Sequence, residues 1–340
     1  MTVSLVTGAA GFIGSYVVDE LVMAGHSVIA LDDLSGGYEK NINKQAIFVR
    51  GSIDDVSLVN ALFDKYRFEY VFHLAAYAAE GLSHFIKRFN YTNNLLGSIN
   101  LINASVNTGS VKCFVFTSSI AVYGANQLPM HEDMIPRPED SYGIAKYAVE
   151  QELIASHRIF GLPYIIFRPH NVYGERQNIG DRYRNVIGIF MNQALRGEPF
   201  TIFGDGQQQR AFSYISDVAP VIAHSIELEE AYCDVFNVGG DTPSTVKYLA
   251  EVVASAMNTP LQVNYLPARN EVIDAFATHE KVARFFPILQ KNVSLEQGVS
   301  RMAHWARQHG SQEPSTFDGI EIWKNMPPSW RTITRGGDVL

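Results

Sequence analysis

Thr7-Gly8-Ala9-Ala10-Gly11-Phe12-Ile13-Gly14 follows the apolar run Val3-Ser4-Leu5-Val6 and opens an amphipathic stretch over residues 12–24. Strand, glycine turn and helix in that order form the phosphate-binding corner of a parallel sheet. One glycine lets the chain turn tightly, another lets the backbone approach a pyrophosphate at the helix N-terminus, and the third permits close helix–sheet packing. Gly8, Gly11, Phe12, Ile13 and Gly14 are therefore candidate contacts to a dinucleotide. Their glycine spacing is three and three, not the two and three of the commonest fingerprint.

Outward from this corner, apolar runs at 28–31, 71–75 and 113–117 alternate with amphipathic stretches at 56–66 and 90–106. That alternation predicts an α/β fold with a Rossmann-type doubly wound parallel sheet covered on both faces. A further helix is expected over 143–159, stopped by Gly161 and Pro163, and a strand over 164–167. Beyond Asn171 the regularity weakens, with helical patterns at 186–196 and 245–257 between turn-rich segments at 199–206 and 266–277. The expected division is a dinucleotide-binding domain over 1–170, with crossovers from the C-terminal half, and a smaller α/β substrate domain over 171–310. A tail over 311–340 contains Pro327-Pro328-Ser329-Trp330 and has no role readable from sequence.

The 340 residues carry 27 Lys+Arg against 35 Asp+Glu, a net charge of −8, with no basic block. A footprint for nucleic acid or anionic lipid is therefore not expected, whereas a small anion held by a few arginines is compatible with the composition. Cys113 and Cys233 lie far apart in sequence, which points to packing residues in a reducing, cytoplasmic setting and away from a disulfide framework or zinc site. No stretch approaches the roughly 20 apolar residues of a membrane span, and no metal site is expected.

Asp32 ends the second expected strand about 20 residues past the glycine loop, where a carboxylate accepts ribose hydroxyls. Asp33, Leu34 and Ser35 beside it bring no cation for a 2′-phosphate, which favours NAD over NADP. Asp54 either faces the adenine edge or caps the helix that follows. Tyr142 and Lys146 are four residues apart at a helix start, hence on one face. A neighbouring ammonium, helped by a positive nicotinamide ring, is expected to bring the phenol's pKa down toward a working range. Ser119, just past the 113–117 strand, is placed to hold the same substrate oxygen.

These residues, with His73-Leu74-Ala75-Ala76, Asn94 and Gly97, Thr117-Ser118-Ser119, Val122-Tyr123-Gly124, Arg168-Pro169-His170-Asn171-Val172-Tyr173-Gly174 and Phe203-Gly204-Asp205-Gly206 leading to Arg210, resemble the extended short-chain dehydrogenase/reductases that act on nucleotide sugars. The resemblance, over residues 3–307, implies that Ile53, Leu74, Ala75, Ala76, Asn94, Ser118 and Pro169 join the NAD contacts. It implies Ser119, Tyr142 and Lys146 as the catalytic set. Similarity to the UDP-galactose 4-epimerases of that family implies Asn171, Asn185, Val186, Thr201 and Phe203 along the nucleotide, and Arg210 and Arg269 on the pyrophosphate.

Dehydratases of the family carry an Asp-Glu pair just after the catalytic hydroxyl residue, the decarboxylases a Glu and the 3,5-epimerases a Cys at the latter place; here Ile120 and Ala121 stand there. The resemblance thus points to 4-epimerisation of a UDP-hexose through a transient 4-keto sugar. The alternatives are a 3,5-epimerase or 4-reductase on a GDP- or dTDP-sugar, and a catalytically silent dinucleotide sensor. Glu80 is a substrate contact, a second proton carrier or a solvent-facing carboxylate, and His170 borders the nicotinamide pocket or is a satisfied buried histidine. Neutral Asn178, where glucuronate-binding relatives carry Arg, implies a neutral hexose. Ala275, where some relatives carry a blocking Tyr, implies room for an N-acetyl group. Leu96, Ile99, Ala148, Leu153 and Ile154 exceed what one sheet-facing stripe needs and imply a homodimer.

Overall fold

Seven parallel strands form the central sheet of the computed structural model, which describes all residues except 1, 270, 271, 288, 290 and 332–340. They are β1 (Val3–Thr7), β2 (Ser27–Asp32), β3 (Ile47–Arg50), β4 (Tyr70–His73), β5 (Cys113–Thr117), β6 (Tyr164–Pro169) and a seventh strand, Asp234–Val238. Their spatial order is Asp234–Val238, β6, β5, β4, β1, β2, β3. The winding reverses between β1 and β4, which pair from Ser4 opposite Tyr70 to Thr7 opposite His73. At such a reversal the carboxyl ends of adjacent strands diverge and leave a crevice for a ligand.

Because strand side chains alternate, β1 sends Val6 to one face with Val115, Ile165 and Phe167. It sends Leu5 to the other with Ile29, Phe114 and Phe116. Helices cover both faces: Val17, Val18 and Leu21 of Phe12–Met23 on the first, Val59, Leu101 and Val149 on the second. Each such fully buried aliphatic or aromatic side chain contributes roughly 1.5–3 kcal/mol, so this double layer holds the strand ends rigidly.

Local signals set the helix ends. Asp140 caps Ser141–Phe160 by accepting from Gly143 N at 2.8 Å, and Gly161 stops that helix at φ 73°. Asp55, not Asp54, caps Val56–Tyr66, accepting from Leu58 N at 3.0 Å.

The chain after residue 170 does not stay apart from the first half. Asp234–Val238 extends the sheet beside β6, in register from Asp234 opposite Ile165. The rest builds small pairings, Phe200–Phe203 with Val263–Leu266 and Gln209–Ala211 with Pro243–Thr245, under the helices Val186–Arg196, Val246–Met257 and Leu295–His309. Cys113 is buried as expected, but Cys233 is half-buried, with φ 62° and its Sγ 3.5 Å from His157 Nδ1. No helix among the described residues is long and apolar enough to cross a membrane, and no group of three or more His, Cys, Asp or Glu there could hold a metal.

Candidate active site

A cavity of about 750 Å³ runs along the carboxyl ends of the strands and is lined by both halves of the chain. Gly8, Gly11, Phe12, Ile13 and Gly14 form one end. Gly8 has φ +68°, and a Cβ there would lie 2.7 Å from Ala75 N; a Cβ on Gly14 would strike the Gly8 carbonyl oxygen. Only glycine permits this approach of loop to sheet. Asp32 pins the loop, its Oδ2 accepting from Ala10 N at 3.0 Å and its Oδ1 from Leu34 N at 2.7 Å. Asp33, Ile53, Leu74, Ala75, Ala76, Ser118 and Pro169 complete this end. Arg184 reaches Gly36 beside it but is paired with Asp181 at 2.6 Å.

Two expected cofactor contacts are placed differently. Asn94 is fully buried behind the wall, bonding Tyr77 N at 2.8 Å and Tyr77 O at 3.1 Å; it fixes the strand-end loop and does not line the cavity. Asp54 is not among the lining residues, yet its Oδ1 is buried without a hydrogen-bond partner beside Ile53, which does line it. A buried, unpartnered carboxylate oxygen next to the cavity is costly unless a donor meets it. Together with the glycine cradle and Asp32, it makes the donor and acceptor set suit a dinucleotide.

Tyr142 and Lys146 project one turn apart from Ser141–Phe160 and are both buried against the middle of the cavity. Ser119 hydrogen-bonds Tyr142 and accepts from Ala121 N at 3.1 Å. Lys146 Nζ donates to Thr117 O at 2.8 Å and lies 5.8 Å from the Tyr142 ring centre. Burial, then the Glu80 carboxylate, raise the Tyr142 hydroxyl well above its ordinary value, against the Ser119 bond. Burial in turn lowers Lys146 to about 7, opposed by Glu150. In this low-dielectric setting desolvation outweighs the pairwise attraction.

A network beneath these groups escaped the sequence reading. Glu150 takes Arg168 in a two-pronged pair at 2.6 and 3.0 Å and accepts from Ser118 Oγ at 2.5 Å. Arg168 also reaches the Tyr123 hydroxyl at 2.8 Å, which continues to Asn237 at 2.9 Å. The available signal was a glutamate at helical spacing from Tyr142 and Lys146, on the face that has to be buried. His170 lines the cavity and is also satisfied: Nδ1 meets Ala211 O at 3.0 Å and Nε2 meets His279 Nε2 at 2.9 Å. Burial and His279 lower it to about 3, so it is neutral near pH 7.

The far end of the cavity is lined by Glu80, Asn171, Asn178, Asn185, Val186, Thr201, Phe203, Arg210 and Arg269. Arg269 stacks on Phe203 at 4.1 Å. Arg210, expected on a pyrophosphate, lines the cavity and donates to the main-chain carbonyls of Val272 and Ile273. Ala275 does not line the cavity; it pairs with Arg210 and packs against the cluster of Ile120, Val122 and Met130. Of the apolar residues expected at a dimer interface, Leu153 is buried in the core, while Leu96 and Ile154 are exposed.

The cavity joins a glycine-loop corner of the kind that takes a dinucleotide to a wall carrying Ser119, Tyr142 and Lys146. Residues 4–239 match the NAD dependent epimerase/dehydratase family, and the chain belongs to it. It is 31% identical over 310 residues to a UDP-glucose 4-epimerase of Mycolicibacterium smegmatis, covering 89% of this chain and 98% of that one. Among solved structures it is similar to a Thermotoga maritima UDP-glucose 4-epimerase with UDP-glucose (TM-score 0.86, 36% identity, 91% of this chain and 99% of that one). It is also similar to a Thermus thermophilus UDP-glucose 4-epimerase in complex with NAD (TM-score 0.82, 30% identity, 90% and 98%).

Proposed function

We propose that this protein interconverts the C4 epimers of a neutral UDP-hexose, UDP-glucose and UDP-galactose, and retains its NAD between turnovers. The observation that carries the reading is the junction of Ser119, Tyr142 and Lys146 with the glycine-loop end of one cavity, while Ile120 and Ala121 next to Ser119 offer no acid or base.

NAD bound there accepts and returns one hydride and, when oxidised, carries a positive ring. The chain's residues move the proton. Ser119 and Tyr142 share the sugar's 4-oxygen; Tyr142 takes its proton as the hydride leaves and returns it after the sugar has turned. Lys146, anchored on Thr117 O, supplies charge to the phenol's surroundings when protonated. Glu150 and Arg168 hold the floor on which Ser118 and Lys146 sit. Arg269 on its Phe203 platform holds the diphosphate. Leu96 and Ile154, exposed on neighbouring helices, form the core of a homodimer contact.

Purified protein without added NAD, given UDP-glucose, UDP-galactose, UDP-N-acetylgalactosamine and UDP-glucuronate separately, should convert the first two to an equilibrium mixture. Failure on all four removes the assignment. Glu80 in the cavity, close enough to bias Tyr142, is the observation that favours a 3,5-epimerase instead. Turnover in heavy water separates the two: 4-epimerisation leaves carbon-bound deuterium at zero, and 3,5-epimerisation introduces it. Light scattering at micromolar concentration should give twice the 37.8 kDa chain mass.

A further inference from the structure

The family match ends at residue 239, and Pro327-Pro328-Ser329-Trp330 lies far beyond it. In the structure, residues 312–330 form a strap that is tied to both halves of the chain and reaches the cavity at Ser329 and Trp330. Gln312 ties its start: its main chain exchanges bonds with the Asn192 side chain at 2.8 and 2.9 Å, and its Oε1 accepts from Gly180 N and the Tyr38 hydroxyl, both at 3.1 Å. Farther along, the Glu321 carboxylate accepts from Arg88 N at 3.0 Å and Phe89 N at 3.1 Å. Arg182 then donates to Ser329 O at 2.6 Å.

The strap ends in Trp330, 4% exposed, which lines the cavity together with Ser329. One edge of the indole meets Gly81, where an added Cβ would stand only 3.1 Å away. Gly81 follows Glu80 in the same short helix as Ser83, and Ser83 Oγ accepts from Tyr142 N at 3.2 Å, so this edge neighbours the catalytic segment. The indole ring centre lies 5.2 Å from the Arg269 guanidinium and 6.4 Å from the centre of the Phe203 ring. Trp330 therefore bridges the part of the cavity beside Tyr142 and the part beside the diphosphate.

We propose that this strap completes the substrate site and that Trp330 is a substrate contact, its indole the wall against which the hexose next to the diphosphate packs. The proposal rests on reading the cavity as a nucleotide-sugar site. An aromatic face meets the C–H surface of a pyranose without directional bonds. Such a wall excludes water yet leaves the sugar free to turn, which a set of hydrogen bonds to its hydroxyls would oppose.

The test compares the full chain with its Trp330→Ala and Trp330→Phe variants. Trp330→Ala should raise KM for UDP-galactose about tenfold or more, change kcat by less than about threefold and leave UDP affinity within about threefold. Its NAD content should match the parent, while its Tm should fall, because the buried indole also packs on Phe85 and Tyr183. Trp330→Phe should recover most of the KM. Tryptophan emission of the parent should change when UDP-galactose is added, and that change should vanish in Trp330→Phe, which keeps Trp305 and Trp323. An unchanged KM in Trp330→Ala, or an unchanged emission response in Trp330→Phe, overturns the proposal while leaving the epimerase reading intact. A parent that binds neither UDP nor UDP-galactose overturns both.

Discussion

The two ends of the cavity are built by different means. At the glycine loop the walls are backbone: Gly8 stands against Ala75 N, Gly14 against the Gly8 carbonyl, and Asp32 bonds main-chain amides. At the far end they are side chains from distant segments, such as Phe203, Arg269, Arg182 and Trp330, held by stacking and single hydrogen bonds. A backbone wall has no rotamers to adjust and fails outright when a Cβ intrudes. A side-chain wall can yield, because neighbours repack around a change. The difference suggests that cofactor identity is fixed stiffly, while the choice of sugar lies in the end that can be tuned.

The largest effect should come at the stiff end. Gly8→Val puts a branched side chain at φ +68° within 2.7 Å of Ala75 N, and it should abolish NAD retention, read by acid extraction of the purified protein, and lower Tm. Retained NAD would break the contrast. Next comes the chemistry between the two ends. Tyr142→Phe should reduce turnover by about 10³-fold with NAD content and fold unchanged, because only the proton carrier is lost. Activity within a few-fold of the parent would refute its role.

A smaller effect follows from Lys146, whose ammonium burial disfavours, lowering its pKa from 10.5 to about 7. Below pH 7 both the folded and unfolded chains carry the charge, and the burial penalty is fully present. As pH rises from 7 toward 10.5 the folded form binds fewer protons than the unfolded, so the parent gains stability. Lys146→Met should therefore raise Tm by roughly a few degrees near pH 7, with the gap narrowing as pH rises, at the cost of activity. A gap that widens toward high pH would contradict this account. The smallest effect belongs to the tunable end: Phe203→Leu removes the platform under Arg269, worth about 1 kcal/mol, and should raise KM for UDP-galactose about fivefold with NAD retention unaltered. Loss of NAD from that variant would show the two ends to be coupled.

Much of the sheet could be read directly, because β1, β2, β4, β5 and β6 are buried apolar runs separated by amphipathic helices. Ile47–Arg50 and Asp234–Val238 could not be read so easily: the first is a short, half-exposed edge, and the second joins the sheet from far along the chain. Within the site, the loop glycines, Ser119, Tyr142 and Lys146 were legible because each signal lies within one turn or one helix. Asn94, Arg210 and Ala275 entered through resemblance to relatives, which matches positions in one dimension. Their side-chain partners, Tyr77, main-chain carbonyls near Ile273 and Met130's cluster, are not revealed by such a match.

Sequence alone determined the α/β class, the dinucleotide corner and the shared helix face of Tyr142 and Lys146, because φ requirements, alternation and the 3.6-residue repeat are local constraints. Tertiary structure decided the rest. It set the direction in which burial shifts Tyr142 and Lys146, upward for the phenol and downward for the ammonium, since burial is a property of everything packed around a group. It joined Glu150 to Arg168 beneath the site and brought Trp330, from the end of the described chain, against Gly81 and Arg269. Contacts between residues so far apart depend on the packing of every element between them, and no short stretch of sequence encodes that packing.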